Sequence, residues 1–238
     1  ATTDSGSGTP RTNVVIEDIN VMSFNVLDYN TTSDPSYASP PERAKVIITM
    51  IREQLPDVIG VQEACTGCSQ NGYFNWNGYL RRNLADLYAC RILTDEGGVS
   101  TTIAKGLMIF YKKDRFEKTT SGYHLYTVDS GRALQWVGLK DTKANDREIF
   151  IFNTHFSLKQ DNEVYLRTQE YAELTQKITT VAAGAPFFAA GDYNSRHGEG
   201  NSVYNDGTIN VFLSQPGFSA ADGAYEALIN TVPFSTYS

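Results

Sequence analysis

Apolar runs of strand length constrain this chain most. They read INVMSFN (19–25), DVIGVQE (57–63), GLMIFYK (106–112), LQWVGLK (134–140), EIFIFNTH (148–155) and APFFAAGD (185–192). Several are apolar on consecutive residues, so both faces of the strand need cover, as in a sandwich or a sheet flanked by helices. Helical patterns lie between them. SPPERAKVIITMIREQL offers Ser39 as N-cap, Pro40 at the first helical position and Glu42 three residues after the cap. Ala44, Ile47, Ile48, Ile51 and Leu55 then share one face. GYLRRNLADLY (78–88) stacks Leu80, Leu84 and Leu87, and the segment 161–182 aligns Val164, Tyr171, Leu174 and Ile178. Strands interleaved with helices make an α/β chain. An antiparallel hairpin is expected where DTKANDR joins 134–140 to 148–155.

At 238 residues and 41% hydrophobic, the chain suits one large domain. Residues 1–13, small and polar, read as a flexible segment preceding a domain over 14–238. That start, which lacks Met, reads as a trimmed terminus and points to a secreted, periplasmic or cell-surface protein. Asn30-Thr31-Thr32 is a glycosylation-type sequon. No apolar stretch approaches the length of a membrane span.

The formal charge of −7 argues against a broad, sequence-independent grip on nucleic acid. It leaves room for a phosphate substrate where a divalent cation supplies local positive charge. With 3 Cys there is no disulfide framework. A disulfide using two of Cys65, Cys68 and Cys90 is expected, free thiols being the alternative. No second CxxC or His pair completes a zinc site.

The ends of the runs carry the chemistry. They close on Asn25, Glu63, His155 and Asp192, with Asn194 just beyond. Ligands of α/β sheets gather where strand ends and loops converge above a rigid floor. A Glu, a His, an Asp and two Asn at such ends fit metal-assisted hydrolysis of a phosphate ester. Glu63 suits Mg²⁺, which takes few carboxylates and keeps waters and substrate oxygens. Asn25 and Asn194 offer amide hydrogens to phosphate oxygens without adding charge. His155 offers a donor to developing phosphoryl charge, and Asp192 a base for the attacking water. Each residue also has a plainer reading: Glu63 as a helix-start carboxylate, Asn25 as a turn residue, His155 as a buried histidine, Asp192 and Asn194 as caps of the loop NSRHGEGN. Their shared placement favours the chemistry.

At these residues the sequence resembles the endonuclease/exonuclease/phosphatase superfamily, the deoxyribonuclease I-like fold. The matching stretches are MSFNV (22–26), PDVIGVQE (56–63), GLMIFYKKDRF (106–116), GRALQW (131–136), FNTHFS (152–157) and GDYN (191–194). Their combination is similar to the branch of metal-dependent hydrolases related to the deadenylase-like members. The resemblance implies a four-layered sandwich of two mixed sheets packed face to face, with helices outside. It implies that Asn25 and Asn194 contact phosphate, that Glu63, with Asn25 beside it, binds Mg²⁺ or Mn²⁺, that His155 hydrogen-bonds the scissile phosphate and that Asp192 acts on the water. Arg132 sits where many members place an arginine near substrate, with a surface charge as the alternative. Arg167 matches a recurrent arginine expected to form a structural ion pair.

The resemblance also implies a later Asp and then a closing Asp-His pair; the stretch after Asp192 contains no Asp-His. The C-terminal strands are therefore expected to be missing from the domain, and Asp222 is read as structural. The function expected is Mg²⁺-dependent hydrolysis of a phosphodiester, of nucleic-acid, nucleotide or phospholipid type. The alternative is a non-catalytic phosphate- or metal-binding module on the same fold. A glycosidase using Glu63 and Asp192 is the weaker third reading, since it leaves the flanking Asn residues and His155 without a purpose. A monomer is expected, or a domain completed by a further C-terminal segment. The aromatic stretch around Tyr73, Phe74, Trp76 and Tyr79 reads either as a stacking platform or as core; Arg196 and His197 read as specificity residues or a solvated loop.

Overall fold

The computed structural model describes residues 18–27, 38–65, 74–93, 106–157 and 163–194. The segment 1–13, the sequon at Asn30, Cys68, Tyr73, Arg196, His197 and Asp222 lie outside the described residues. Elements follow in the order β1 (Val21–Asn25), α1 (Pro40–Gln54), β2 (Val58–Gln62), α2 (Trp76–Leu84), β3 (Tyr88–Ile92), β4 (Met108–Lys112), β5 (Phe116–Leu125), β6 (Ala133–Asp141), β7 (Arg147–His155), α3 (Glu163–Ala182) and β8 (Phe187–Asp192). They build a 4-stranded sheet of order β1-β2-β4-β3 and a second of order β5-β6-β7-β8. The pairs β1/β2 and β7/β8 are parallel and the others antiparallel, so both sheets are mixed. No helix among the described residues is long and apolar enough to cross a membrane.

Layering follows from the period of two along each strand. On β2, Ile59 and Val61 face α1 and α2, packing on Ala44, Ile47, Ile48, Ile51, Leu80 and Leu84. Val58 points the other way, into a layer shared with Ile109 from the first sheet and Val137, Leu139, Ile149 and Ile151 from the second. On β7, Phe150 and Phe152 face Tyr171, Leu174 and Ile178 of α3. The order helices, sheet, sheet, helix is the four-layered sandwich expected from the sequence, and it explains why β2 is buried on every residue.

α1 starts as its sequence dictates, with Ser39 and Glu42 forming a capping box and Pro40 in the first turn. α2 differs from expectation: Asn75 caps it, accepting from the Gly78 amide at 2.7 Å, and it ends at Leu84. Leu87 belongs to a turn, its N–H bonded to the Leu84 carbonyl, and β3 follows at once. The hairpin of β6 and β7 forms as expected. The strands β3 and β5 were not expected. β5 is largely polar, and among the described strands it pairs only with β6.

The sheets are locked together where they come closest. A Cβ added at Gly60 on β2 would lie 2.6 Å from the Ala190 Cβ on β8 and 3.0 Å from the Asn153 Oδ1. Asn153, fully buried on β7, crosses the interface. Its Nδ2 donates to the carbonyls of Val61 and Met108, both at 2.9 Å, and its Oδ1 accepts from Gln62 Nε2 at 2.7 Å. At the opposite end Arg115 bridges Asp57 and Asp141 in a buried ion-pair network. Asn153→Ala removes the side-chain bonds to two buried carbonyls and leaves the Gln62 amide only its 3.3 Å bond to Ser23, and is expected to lower the unfolding free energy by about 3 kcal/mol in a urea titration.

Candidate functional site

The inward faces of β1, β2, β7 and β8 change character along their length. They begin apolar, at Val21, Val58, Ile149, Ile151 and Phe188. Two residues at a time they become polar: Ser23 then Asn25, Gly60 then Gln62, Asn153 then His155, Ala190 then Asp192. Asn25, His155 and Asp192 occupy the last inward positions of β1, β7 and β8. Register makes His155 the Cα partner of Asp192, and Asn25 that of Gln62.

The side chains converge across the two sheets. Asn25 Nδ2 donates to Glu63 Oε1 at 3.0 Å and to Asp192 Oδ2 at 2.9 Å, bridging two carboxylates. Its Oδ1 accepts from the Leu27 amide at 2.9 Å, which fixes the orientation of the carboxamide. His155, nearly buried, places Nε2 3.9 Å from Glu63 Oε1 and 3.7 Å from Asp192 Oδ2. Those separations exceed hydrogen-bond length. Asp192 Oδ1 accepts from the Asn194 amide at 3.0 Å, and Asn194 Nδ2 donates to the Phe156 carbonyl at 2.7 Å.

The site includes strained backbone, as do turns elsewhere at Leu55, Asn145, Asp146 and Ala183. Glu63 has φ 60° and Asn194 φ 47°, both in the left-handed region. Glu63 is held there by its neighbours: the Ala64 amide donates to the Gly106 carbonyl at 3.0 Å, and a Cβ at Gly106 would lie 2.4 Å from the Ala64 carbonyl carbon. Glu63 therefore turns toward the tips one residue after β2 ends, rather than by strand alternation. Cys65 is disulfide-bonded, and Cys90 on β3 is a thiol.

Arg132 lies in the turn between β5 and β6. Burial pulls its guanidinium down from the usual arginine range, while the charges of Glu170, Asp129, Glu63 and Asp192 hold it up, in that order of strength. Arg167 is fully buried in α3. Trp76 is also buried and packs with Phe74 and Tyr79 on the helical side of the first sheet, so this part of the aromatic stretch is core. Pattern reading did not anticipate Arg43, which donates to the Leu27 and Ala38 carbonyls, crosses the Trp76 ring and adds positive charge beside Glu63. In the sequence it looks like an exposed helix cation.

The donors near Asn25 are carboxylate and carboxamide oxygens of Glu63, Asp192 and Asn25. Hard oxygens of this kind fit Mg²⁺ or Mn²⁺. No group of three or more His, Cys, Asp or Glu able to hold a metal is found among the described residues. Asn25→Asp sets a third carboxylate between two others. It is expected to lower the melting temperature by about 4 °C in metal-free buffer. Millimolar Mg²⁺ should then raise the melting temperature of the variant more than that of the wild type, as read by differential scanning fluorimetry.

The sequence profile of the Endonuclease/Exonuclease/phosphatase family matches residues 20–210. No curated protein sequence matches the chain. Among solved structures, D. rerio TDP2 complexed with a single-strand DNA product is similar, at 18% identity and TM-score 0.62, over 84% of this chain and 66% of that one. The catalytic domain of human nocturnin with a bound sulfate aligns at 19% identity and TM-score 0.61, over 83% of this chain and 69% of that one. The Bacteroides thetaiotaomicron mannosyl-6-phosphatase Bt3783 aligns at 18% identity and TM-score 0.59, over 79% and 69%. This chain spans about two thirds of the length of these structures.

Proposed function

Because the chain belongs to the endonuclease/exonuclease/phosphatase family, we propose that it is a Mg²⁺- or Mn²⁺-dependent hydrolase of phosphodiesters. The observation that carries this reading is the meeting of Glu63, Asp192, Asn25 and His155 at the tips of two different sheets. Glu63 and Asn25 are the residues to hold the cation, which when bound neutralises charge on the phosphoryl oxygens. Asp192 orients the attacking water and takes its proton. The Asn194 amide fixes that carboxylate by binding Oδ1, leaving Oδ2, the oxygen near Asn25, to face the reaction. His155 donates from Nε2 to the phosphoryl group as negative charge builds. The carboxamides of Asn25 and Asn194 and the guanidinium of Arg132 complete the cradle for the phosphate.

The acidic balance of the chain favours a compact substrate or a short single strand over a long duplex. Structures of this fold hold a DNA product in one case and bear the name of a sugar phosphatase in another. A phosphodiester of nucleotide or phospholipid type is the reading that agrees with a site whose two carboxylates need a cation before they meet a phosphate. The disulfide at Cys65 supports an oxidising setting, outside the cell or in a periplasm.

The test is hydrolysis of bis(p-nitrophenyl) phosphate with Mg²⁺ or Mn²⁺. Turnover is expected to stop with EDTA and to fall about a thousandfold in Asp192→Asn. Turnover that ignores EDTA would sink the reading, and cation binding without turnover would favour a binding module.

A further inference from the structure

Behind the strand tips lies a second polar cluster that the proposed chemistry leaves unused. Ser157, two residues past His155, places its hydroxyl 2.7 Å from Glu170 Oε1 and 2.8 Å from Asp129 Oδ2. A hydroxyl has one proton and donates to one acceptor. Bonds to both oxygens at these lengths require one carboxyl to be protonated and to donate back to Ser157.

Glu170 is the carboxyl suited to carry that proton. It is fully buried on the inner side of α3, whereas Asp129 is partly exposed and also accepts from the Gly131 amide at 3.0 Å. Burial pushes Glu170 up to about 7; the bonds from Ser157 and the charge of Arg132 pull it down, and Asp129 raises it. Other ionisable groups around it are Tyr126, the residue after β5, pushed well above 10 by burial, and Arg167 and Glu173, one turn either way on α3. Burial raises Glu173 too, but its bonds from Thr127 and His124 hold it below the usual range, so it remains a carboxylate.

Arg132 follows Asp129 by three residues and feels the charges of both this cluster and the strand tips. Its backbone is fixed: its amide donates to the Asp129 carbonyl at 2.9 Å and its carbonyl accepts from the Tyr126 amide at 3.2 Å. Its guanidinium is not. Among the described residues Nη1 is buried without a hydrogen-bond partner. The charges it feels are those of Glu170, Asp129, Glu63 and Asp192, in falling order of effect.

We propose that Glu170 is a positioning residue for Arg132: protonated, it leaves the guanidinium to the substrate's phosphoryl oxygens, and ionised, it draws that charge back toward Asp129 and Ser157. The proposal rests on the phosphohydrolase reading for its substrate but not for its test. As pH rises through about 7, Glu170 gains negative charge, and affinity for a tetrahedral oxyanion falls while the chemical step is less affected.

The experiment measures KM for bis(p-nitrophenyl) phosphate with Mg²⁺ from pH 5.5 to 8.5. In parallel, calorimetry measures the Kd of sulfate, whose charge is constant over that range. Both constants are expected to rise about tenfold across the wild-type profile. Glu170→Gln should hold them flat at the low-pH value, and Arg132→Ala flat and weak. Asp129→Asn, which removes a negative charge that holds Glu170 up, should move the step to lower pH; it serves as the second variant if Glu170→Gln does not fold. A step that survives in Glu170→Gln, that does not move in Asp129→Asn, or that is absent from the wild type overturns the proposal. A sulfate step abolished by Glu170→Gln in a protein without turnover would overturn the hydrolase reading and keep the positioning role.

Discussion

The carboxamide of Asn153 ties the two halves of this molecule together. It caps one end of the β2–β4 ladder by donating to both opposed carbonyls, Val61 and Met108, and it takes the Gln62 amide hydrogen in return. Gln62 reaches on to Ser23 at 3.3 Å, and the Ser23 hydroxyl accepts from the Gly191 amide at 3.1 Å. One chain of hydrogen bonds therefore joins β7, β2, β4, β1 and β8. Asn153 and Gln62 are buried, where an unmade bond costs more than a made one contributes, while Ser23 is exposed. Such a network has few alternative arrangements, and the strand tips inherit their spacing from it. Gly60 is the steric counterpart, since any side chain there would force the sheets apart.

Above this layer the structure holds groups that repel. Glu63 and Asp192 approach the same amide from different sheets, and Asn25 divides its two hydrogens between them. A neutral bridge between like charges is a modest remedy, and a divalent cation is a stronger one. The left-handed backbone at Glu63 and Asn194 belongs to the same balance. Both residues are held in costly conformations by local bonds, as expected where a site is preorganised before its ligand arrives. The Ser157 cluster extends this field backward into α3, so positive charge at Arg132 is contested by two pairs of carboxyl groups.

Much of this was legible in the chain. The capping box at Ser39 and Glu42 is local chemistry, and α1 begins where it says. The apolar runs became strands because their burial pattern has no other outlet. β5 escaped notice because FEKTTSGYHL, largely polar and paired among the described strands only with β6, needs little apolar residue. α2 was drawn too long because Leu80, Leu84 and Leu87 keep helical spacing through a turn. Asn25, Glu63, His155, Asp192 and Asn194 stood out as polar ends of apolar runs, and the fold brings them within one site. Glu170 and Ser157 did not stand out. On a helix rich in Glu and Gln one more carboxylate looks solvated, and only the fold buries it and brings it against Ser157.

The sequence by itself determined the elements and the polarity gradient along each inward face, because both follow from periodicities of two and 3.6 that a few neighbouring residues carry. The tertiary structure alone decided which tips meet, which amide bridges which carboxylates, and which carboxyl loses its water. Those outcomes depend on contacts such as Ser23 with Gly191 and Gln62 with Asn153, between residues far apart in the chain. No local pattern encodes the distance between two sheets; close packing at Gly60, Ala190 and Asn153 sets it.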